Sequence, residues 1–203
     1  MNIALIMLAA GNSRRFGSNK LLFPVDGRPM YQITLDRLKQ IKADLSQEFE
    51  CKVIVVTQYE EIRKYASEEE IQVLINPHPE KGISFSIQIG LREHQDADAC
   101  LFAVSDQPWM TTRTIENMIR AFLRSGKGIG CPAFGQEGKT GNPCIFKKTY
   151  YRELMELEGD TGGKKVIRQH LDDTFVYELK DEKQLEDVDV PLMEKGCYER
   201  NGQ

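Results

Sequence analysis

The stretch Leu8–Leu22, LAAGNSRRFGSNKLL, follows a short apolar run and carries two glycines, small polar residues, two arginines and a lysine. Glycine lets backbone N–H groups close around phosphate oxygens, and a guanidinium and an ammonium beside them neutralise the remaining charge. Two common phosphate loops do not fit. A Walker loop needs glycine five residues after its first, where Phe16 stands after Gly11, and no Gly-Lys-Ser/Thr follows. The dinucleotide fingerprint needs glycine two residues on, where Ser13 stands. The stretch is either a surface turn or a phosphate loop of another kind, Gly11-x-Ser13-x-Arg15-x-Gly17-x-x-Lys20.

Two further segments carry carboxylates. "SDQP" supplies Asp106, either a Mg²⁺ ligand at a strand end or a cap for the following helix. "DVDVP" supplies Asp187 and Asp189, which on their own read as solvated acids on an edge strand. His78, His94 and His170 lack metal-ligand spacing and read as surface or satisfied residues. The five cysteines (51, 100, 131, 144 and 197) form no CxxC, and most lie in apolar runs. They read as buried, reduced thiols of a cytoplasmic protein.

The elements that must hold these residues alternate between apolar runs and amphipathic stretches. Strands are expected at Ile3–Leu8, Lys52–Gln58, Ile71–Ile75, Ala99–Val104 and about Phe175–Leu179, with further apolar runs in "IGCPAF" and "NPCIF". Helices are expected at Pro29–Leu45, near Glu60–Ser67, after Gly82 on Ile83, Ile87 and Leu91, and at Thr111–Leu123. Two more are expected from about Lys147 and near Gly163–Leu171. Continuous apolar strands separated by helices imply a mostly parallel sheet covered on both faces. The expectation is one doubly wound, Rossmann-like three-layer α/β/α domain over residues 1–196, with a frayed tail over 197–203. Ligands bind such sheets at the carboxyl ends of the strands, where Leu8–Lys20 and "SDQP" both fall. That agreement favours the phosphate loop.

Bulk properties narrow the partners. At 203 residues and net charge −4, with 40% hydrophobic and 29% charged residues, the chain suits one soluble domain. The acidic balance argues against nucleic acid and membrane surfaces, and the N-terminal apolar run is far short of the roughly 18 residues a span needs. Local cations (Arg14, Arg15 and Lys20; Lys164 and Lys165) suit a small anion.

Together these segments resemble the molybdenum cofactor nucleotidyltransferases, specifically the cytidylyltransferase branch. Leu8–Lys20 is similar to that family's LAAG-x-S-x-R-x-G-x-x-K loop. "GISFSIQIGL", Asp106–Pro108, Gly141–Pro143, Gly159–Gly162 and Asp187–Asp189 resemble its later motifs, in order along almost the whole chain. Ala9-Ala10-Gly11 is like the cytidylyl branch, where the guanylyl branch usually reads LAGG. The short gap from Arg15 to Lys20 is unlike the isoprenoid-pathway cytidylyltransferase. Gly163-Lys164 stands where the family often has Ala-Arg, and Val190 where threonine is common.

The resemblance implies a CTP site at Leu8, Ala9, Ala10, Gly11, Ser13, Arg15, Lys20, Gly82, Ser84, Ser86 and Asp106. Mg²⁺ would lie between Asp106 and Asp189, with Arg15, Lys20 and Asp106 at the chemistry. The acceptor, molybdopterin or molybdenum cofactor, would face Gly141, Asn142, Pro143, Asp160, Gly162 and Lys164. Ser84 and Ser86 read equally well as hydroxyls at a helix start. An acceptor phosphomonoester has a second pKa of about 6 and is already anionic at pH 7, so the reaction needs no general base. Other readings are a guanylyl- or methylerythritol-phosphate cytidylyltransferase of the same fold, or a chaperone delivering cofactor to an apo molybdenum hydroxylase. A P-loop hydrolase is opposed by Phe16 and the missing Lys-Ser/Thr.

Overall fold

The computed structural model describes residues 1–12, 19–135 and 139–188. Its centre is β1 (Asn2–Ala9), one residue longer at each end than the apolar run alone suggested. Alternate side chains of β1 go to opposite faces. Ile3, Leu5, Met7 and Ala9 join one apolar core, and Ala4, Ile6 and Leu8 join the other. A strand buried on both faces needs apolar residues at every position, which is why it reads as a run and not as an alternation.

After β1 comes a small hairpin, β2 (Pro24–Val25) and β3 (Arg28–Pro29), turning at Asp26-Gly27. Both turn residues have positive φ, 50° and 78°, as a two-residue hairpin of this hand requires. Helix α1 (Met30–Leu45) follows, with Pro29 at its N-cap in extended conformation instead of inside its first turn. Then come β4 (Glu50–Thr57), α2 (Glu60–Glu68), β5 (Gln72–Ile75), α3 (Ile83–Glu93), β6 (Ala99–Val104), α4 (Thr112–Ser125) and β7 (Ile129–Phe134). The short β8 (Lys139–Thr140) pairs with β7 off the main path, and β9 (Cys144–Lys147), α5 (Tyr151–Met155), α6 (Lys164–Gln169) and β10 (Thr174–Glu178) complete the order.

The main sheet runs β10-β7-β9-β6-β1-β4-β5. The β1–β4, β1–β6, β4–β5 and β7–β10 pairs are parallel, and β9 is antiparallel to both β6 and β7. Helices α1, α2 and α4 cover one face, and α3, α5 and α6 the other. The chain thus forms the α/β/α sandwich expected. The helix expected from about Lys147 is a 3₁₀ turn at Lys148–Tyr150 followed by the short α5.

Strand order reverses at β1: the chain proceeds to β4 and β5 on one side and returns to β6 on the other. That reversal opens a crevice beyond the carboxyl ends of the strands. Because β9 runs backwards, the residues preceding it, Gly141-Asn142-Pro143, also arrive at this edge. None of the helices among the described residues is long and apolar enough to cross a membrane.

Candidate functional site

Two adjoining cavities occupy the crevice, of about 310 and about 430 Å³. Leu8, Ile83, Val104 and Asp160 border both. The first is walled by the chain leaving β1 (Ala10, Gly11 and Asn12), by Lys20, and by Ser105 and Asp106 beyond β6. Its far side is the segment entering α3, including Glu80, Gly82 and Ser86. The second has a floor of Ile87, Phe102 and Phe146 and a rim of Lys164, Lys165 and Arg168.

Lys20 lies in a 3₁₀ turn (Lys20–Leu22) whose first N–H groups are met by Asn19, the side chain of which accepts from Leu21 N. Its ammonium reaches across the crevice to Asp106, Nζ to Oδ2 at 2.7 Å, and both side chains are largely buried. The Asp106 loop is clamped from behind. Its carbonyl accepts from Val188 N at 2.9 Å. The neighbouring Gln107 donates through Nε2 to Leu185 O at 3.3 Å and Asp187 Oδ1 at 2.8 Å. Arg37 on α1 donates to Pro108 O at 2.8 Å and Gln107 O at 3.5 Å. Burial pulls the Arg37 guanidinium down to about 10, so it still carries its charge at neutral pH.

Asp187 is therefore tied to the Asp106 loop and lies in no strand, contrary to the solvated edge that spacing alone suggests. Asp189, two residues on, lies outside the described residues, as do Ser13, Arg15, Cys197 and the proposed tail. Among the described residues no group of three or more histidines, cysteines and acids could hold a metal by itself. Mg²⁺ is usually held by one or two carboxylates together with substrate phosphates, and Asp106 offers a hard oxygen donor of that kind.

Gly82 enters α3 with φ +81°, ψ −174°, a conformation open essentially to glycine alone. A Cβ there would lie 2.4 Å from Gly159 C and O, so the chain before α3 and the Gly159-Asp160 turn touch through bare backbone. Ser84 N donates to Gly159 O at 3.2 Å and secures the same contact. The Ser84 side chain is buried and lines neither cavity, whereas Ser86 lines the first and accepts from Asn76 Nδ2 at 2.9 Å.

Of the segments assigned to an acceptor, Asn142, Asp160, Gly162 and Lys164 line the second cavity. Gly141 instead packs beneath Leu185, and Pro143 faces a small void below the Asp106 loop, beside Arg37 and Thr34. Lys165, grouped with Lys164 among the cations expected to suit a small anion, lines this cavity too, and so does Arg168, which no sequence motif singles out. Its signal is a third cation one turn after Lys164-Lys165. The four described cysteines are buried free thiols. Burial raises Cys131 to about 11 and Cys144 further still, which leaves them protonated and unreactive. His78 and His170 bond Glu80 and Glu153, while His94 is buried with Nε2 unpaired among the described residues.

The family model for the MobA-like NTP transferase domain matches residues 5–174. The purine catabolism protein PucB of Bacillus subtilis is 28% identical over 202 residues, which cover 92% of this chain and 91% of PucB. A probable molybdenum cofactor guanylyltransferase of Pyrococcus horikoshii is 29% identical over 165 residues, 79% of this chain and 75% of that one. The manganese complex of Rv0371C from Mycobacterium tuberculosis has the same fold, with a TM-score of 0.68 and 22% identity, covering 95% of this chain and 92% of that one.

Proposed function

The chain belongs to the MobA-like NTP transferase family, and from that premise we propose that it moves CMP from CTP to the terminal phosphate of molybdopterin or molybdenum cofactor, with Mg²⁺ and release of pyrophosphate. The observation that carries this reading is the pair of joined cavities. One is walled by the glycine loop, Lys20 and Asp106, and the other is rimmed by three cations suited to a phosphomonoester.

An acceptor phosphate oxygen, already anionic, attacks the α-phosphorus, and the bond to the β-phosphate oxygen breaks with its electrons leaving on pyrophosphate. Catalysis then consists of alignment and charge neutralisation. Lys164, Lys165 and Arg168 steer the acceptor phosphate toward the boundary the cavities share. Lys20, with Arg15, meets the charge that builds on the phosphates, and the loop N–H groups hold the triphosphate. Asp106 and Asp189 would hold Mg²⁺, which when bound supplies further positive charge at the transferring phosphate. The chain thus needs no histidine near the reacting atoms.

Ala10 supports the choice of base. It borders the nucleotide cavity, and a methyl group in place of hydrogen at that position would crowd a purine more than a pyrimidine. Such a difference is worth about 1–3 kcal/mol. The Pyrococcus relative favours a second reading, guanylyl transfer at the same site. Thermal melting with each nucleotide separates them. A ligand at one hundred times its dissociation constant stabilises the native state by about 2.7 kcal/mol, a shift of roughly 5–10 °C here. CTP with Mg²⁺ is expected to give that shift and GTP much less. A larger shift with GTP overturns the cytidylyl reading. Pyrophosphate limited to one equivalent per chain, with molybdopterin in excess, overturns transfer in favour of a chaperone for an apo hydroxylase.

A further inference from the structure

In β1 the backbone carbonyls alternate between the neighbours β6 and β4. Leu8 O accepts from Ser105 Oγ at 3.3 Å on the β6 side, and Ala9 O from Thr57 Oγ1 at 2.9 Å on the β4 side. Beyond the strand the alternation stops. Ala10 O accepts from Gln58 Nε2 at 2.8 Å, and Gly11 O from the Tyr59 hydroxyl at 2.6 Å. Three successive carbonyls are therefore drawn to the β4 side by three successive residues, Thr57, Gln58 and Tyr59. In a trans peptide the N–H opposes the preceding carbonyl. Holding carbonyls 9, 10 and 11 on one side turns the N–H groups of Ala10, Gly11 and Asn12 to the other, toward Lys20 and Asp106. Among the described residues, no other group of the chain takes the Gly11 or Asn12 N–H. Successive N–H groups on one side form an anion-binding concavity.

We infer that Gln58 and Tyr59 are positioning residues that hold the Ala10–Asn12 backbone in its anion-binding form. This rests on the reading of that loop as the nucleotide cradle. Gln58 also donates to Asn12 Oδ1 at 2.9 Å, so one amide braces the loop at two points. Thr57 fixes the brace itself, its hydroxyl oxygen accepting from Tyr59 N at 3.1 Å. Neither side chain lines the nucleotide cavity, so each acts on the ligand only through the loop. Loss of a donor lets the peptide planes rotate, and nucleotide affinity falls by the fraction of chains still correctly shaped.

The test is calorimetric titration of CTP–Mg²⁺ and of GTP–Mg²⁺ into wild type, Tyr59→Phe, Gln58→Ala and Gln58→Glu, with kcat and both KM values. Tyr59→Phe removes the hydroxyl that donates to Gly11 O and keeps the ring, and is expected to raise the nucleotide Kd about three- to tenfold. Gln58→Ala, which loses two bonds, is expected to raise it more. Gln58→Glu is expected to be worse again, since a carboxylate has no proton for Ala10 O. In each, kcat falls by much less than Kd rises, and acceptor KM holds. Wild-type Kd values in Tyr59→Phe and Gln58→Ala overturn the inference, as does a fall in kcat at unchanged Kd. Should wild type bind neither nucleotide, the reading of the cradle itself fails.

Discussion

Replacing Gly82 by alanine tests how the two cavities are held together. The native φ of +81° with ψ −174° costs an L-residue about 1–3 kcal/mol. The new Cβ would sit 2.4 Å from Gly159 C and O and 2.6 Å from Asp160 N, against an ordinary contact near 3.4 Å. These are backbone atoms with no rotamer to escape into, so one strand of chain must retreat by roughly 1 Å, at about 1–3 kcal/mol. Together the two effects come to about 4 kcal/mol, and at 2–4 °C per kcal/mol for a chain of this size that is roughly 8–16 °C in Tm. Gly126 supplies the contrast. It also has positive φ, +75°, but nothing lies within 4 Å of its Cβ position, so Gly126→Ala is expected to cost only about 1 kcal/mol. Because Asp160 borders both cavities, the retreat is also expected to raise both KM values. Melting of the two variants side by side decides it, and the reasoning is refuted if Gly82→Ala is no less stable than Gly126→Ala.

Lys20→Ala is expected to lower kcat about a hundredfold, the usual loss for one transition-state donor; pyrophosphate release reads it, and a loss below threefold in a folded variant removes Lys20 from the chemistry. Asp106→Asn and Asp189→Asn are each expected to weaken Mn²⁺ binding by titration, and an unchanged affinity in Asp189→Asn reduces the C-terminal carboxylate to a bystander. Ala10→Gly is expected to narrow the difference in melting shift between CTP and GTP, and no change in that difference separates the methyl group from base choice. Burial lowers the proton affinity of His94, with Asp96 and Glu93 pulling the other way and Lys52 adding to the lowering. The unfolded chain then binds the extra proton below about pH 6.5, so stability falls with falling pH there. His94→Gln is expected to flatten that limb in urea midpoints taken from pH 8 to pH 5.

The buried strands were legible because their physics is local. Ala99–Val104 is apolar at every position and is β6 to the residue, and α4 announces itself through Ile115, Met118, Ile119 and Phe122. The β2–β3 hairpin was legible too, through Asp26-Gly27, but sequence reading passed over it. The direction of β9 was not, since Cys144–Lys147 would be equally apolar running either way. Its reversal follows from where the chain re-enters the sheet. Gln58 and Tyr59 were invisible for a similar reason. Only the β1–β4 register, with Ala9 beside Thr57, brings them behind the loop. Asp106 and Lys20 were picked out singly, yet their 2.7 Å pairing spans 86 positions and no spacing rule reaches that far. The family resemblance places Gly82 in the nucleotide site; its conformation and its contact with Gly159 give it a duty within the fold as well.

The backward course of β9 also affects how such a protein diversifies. Apart from Asp160, the wall of the first cavity, the proposed nucleotide site, is drawn from segments threaded through the centre of the sheet: residues 8, 10–12, 20–21, 79–80, 82–83, 86 and 104–106. Most of the other wall comes from one uninterrupted stretch, residues 142–168, entering between β6 and β7 through a strand of only four residues. Apart from Pro143 below the Asp106 loop and the Gly159-Asp160 turn against Gly82, its side chains can be rewritten without touching Thr57, Gln58 or Tyr59, so on the proposed function acceptor choice can drift while most of the nucleotide half stays constant. Grafting the stretch from one relative onto another is then expected to carry acceptor preference with it and leave nucleotide preference behind.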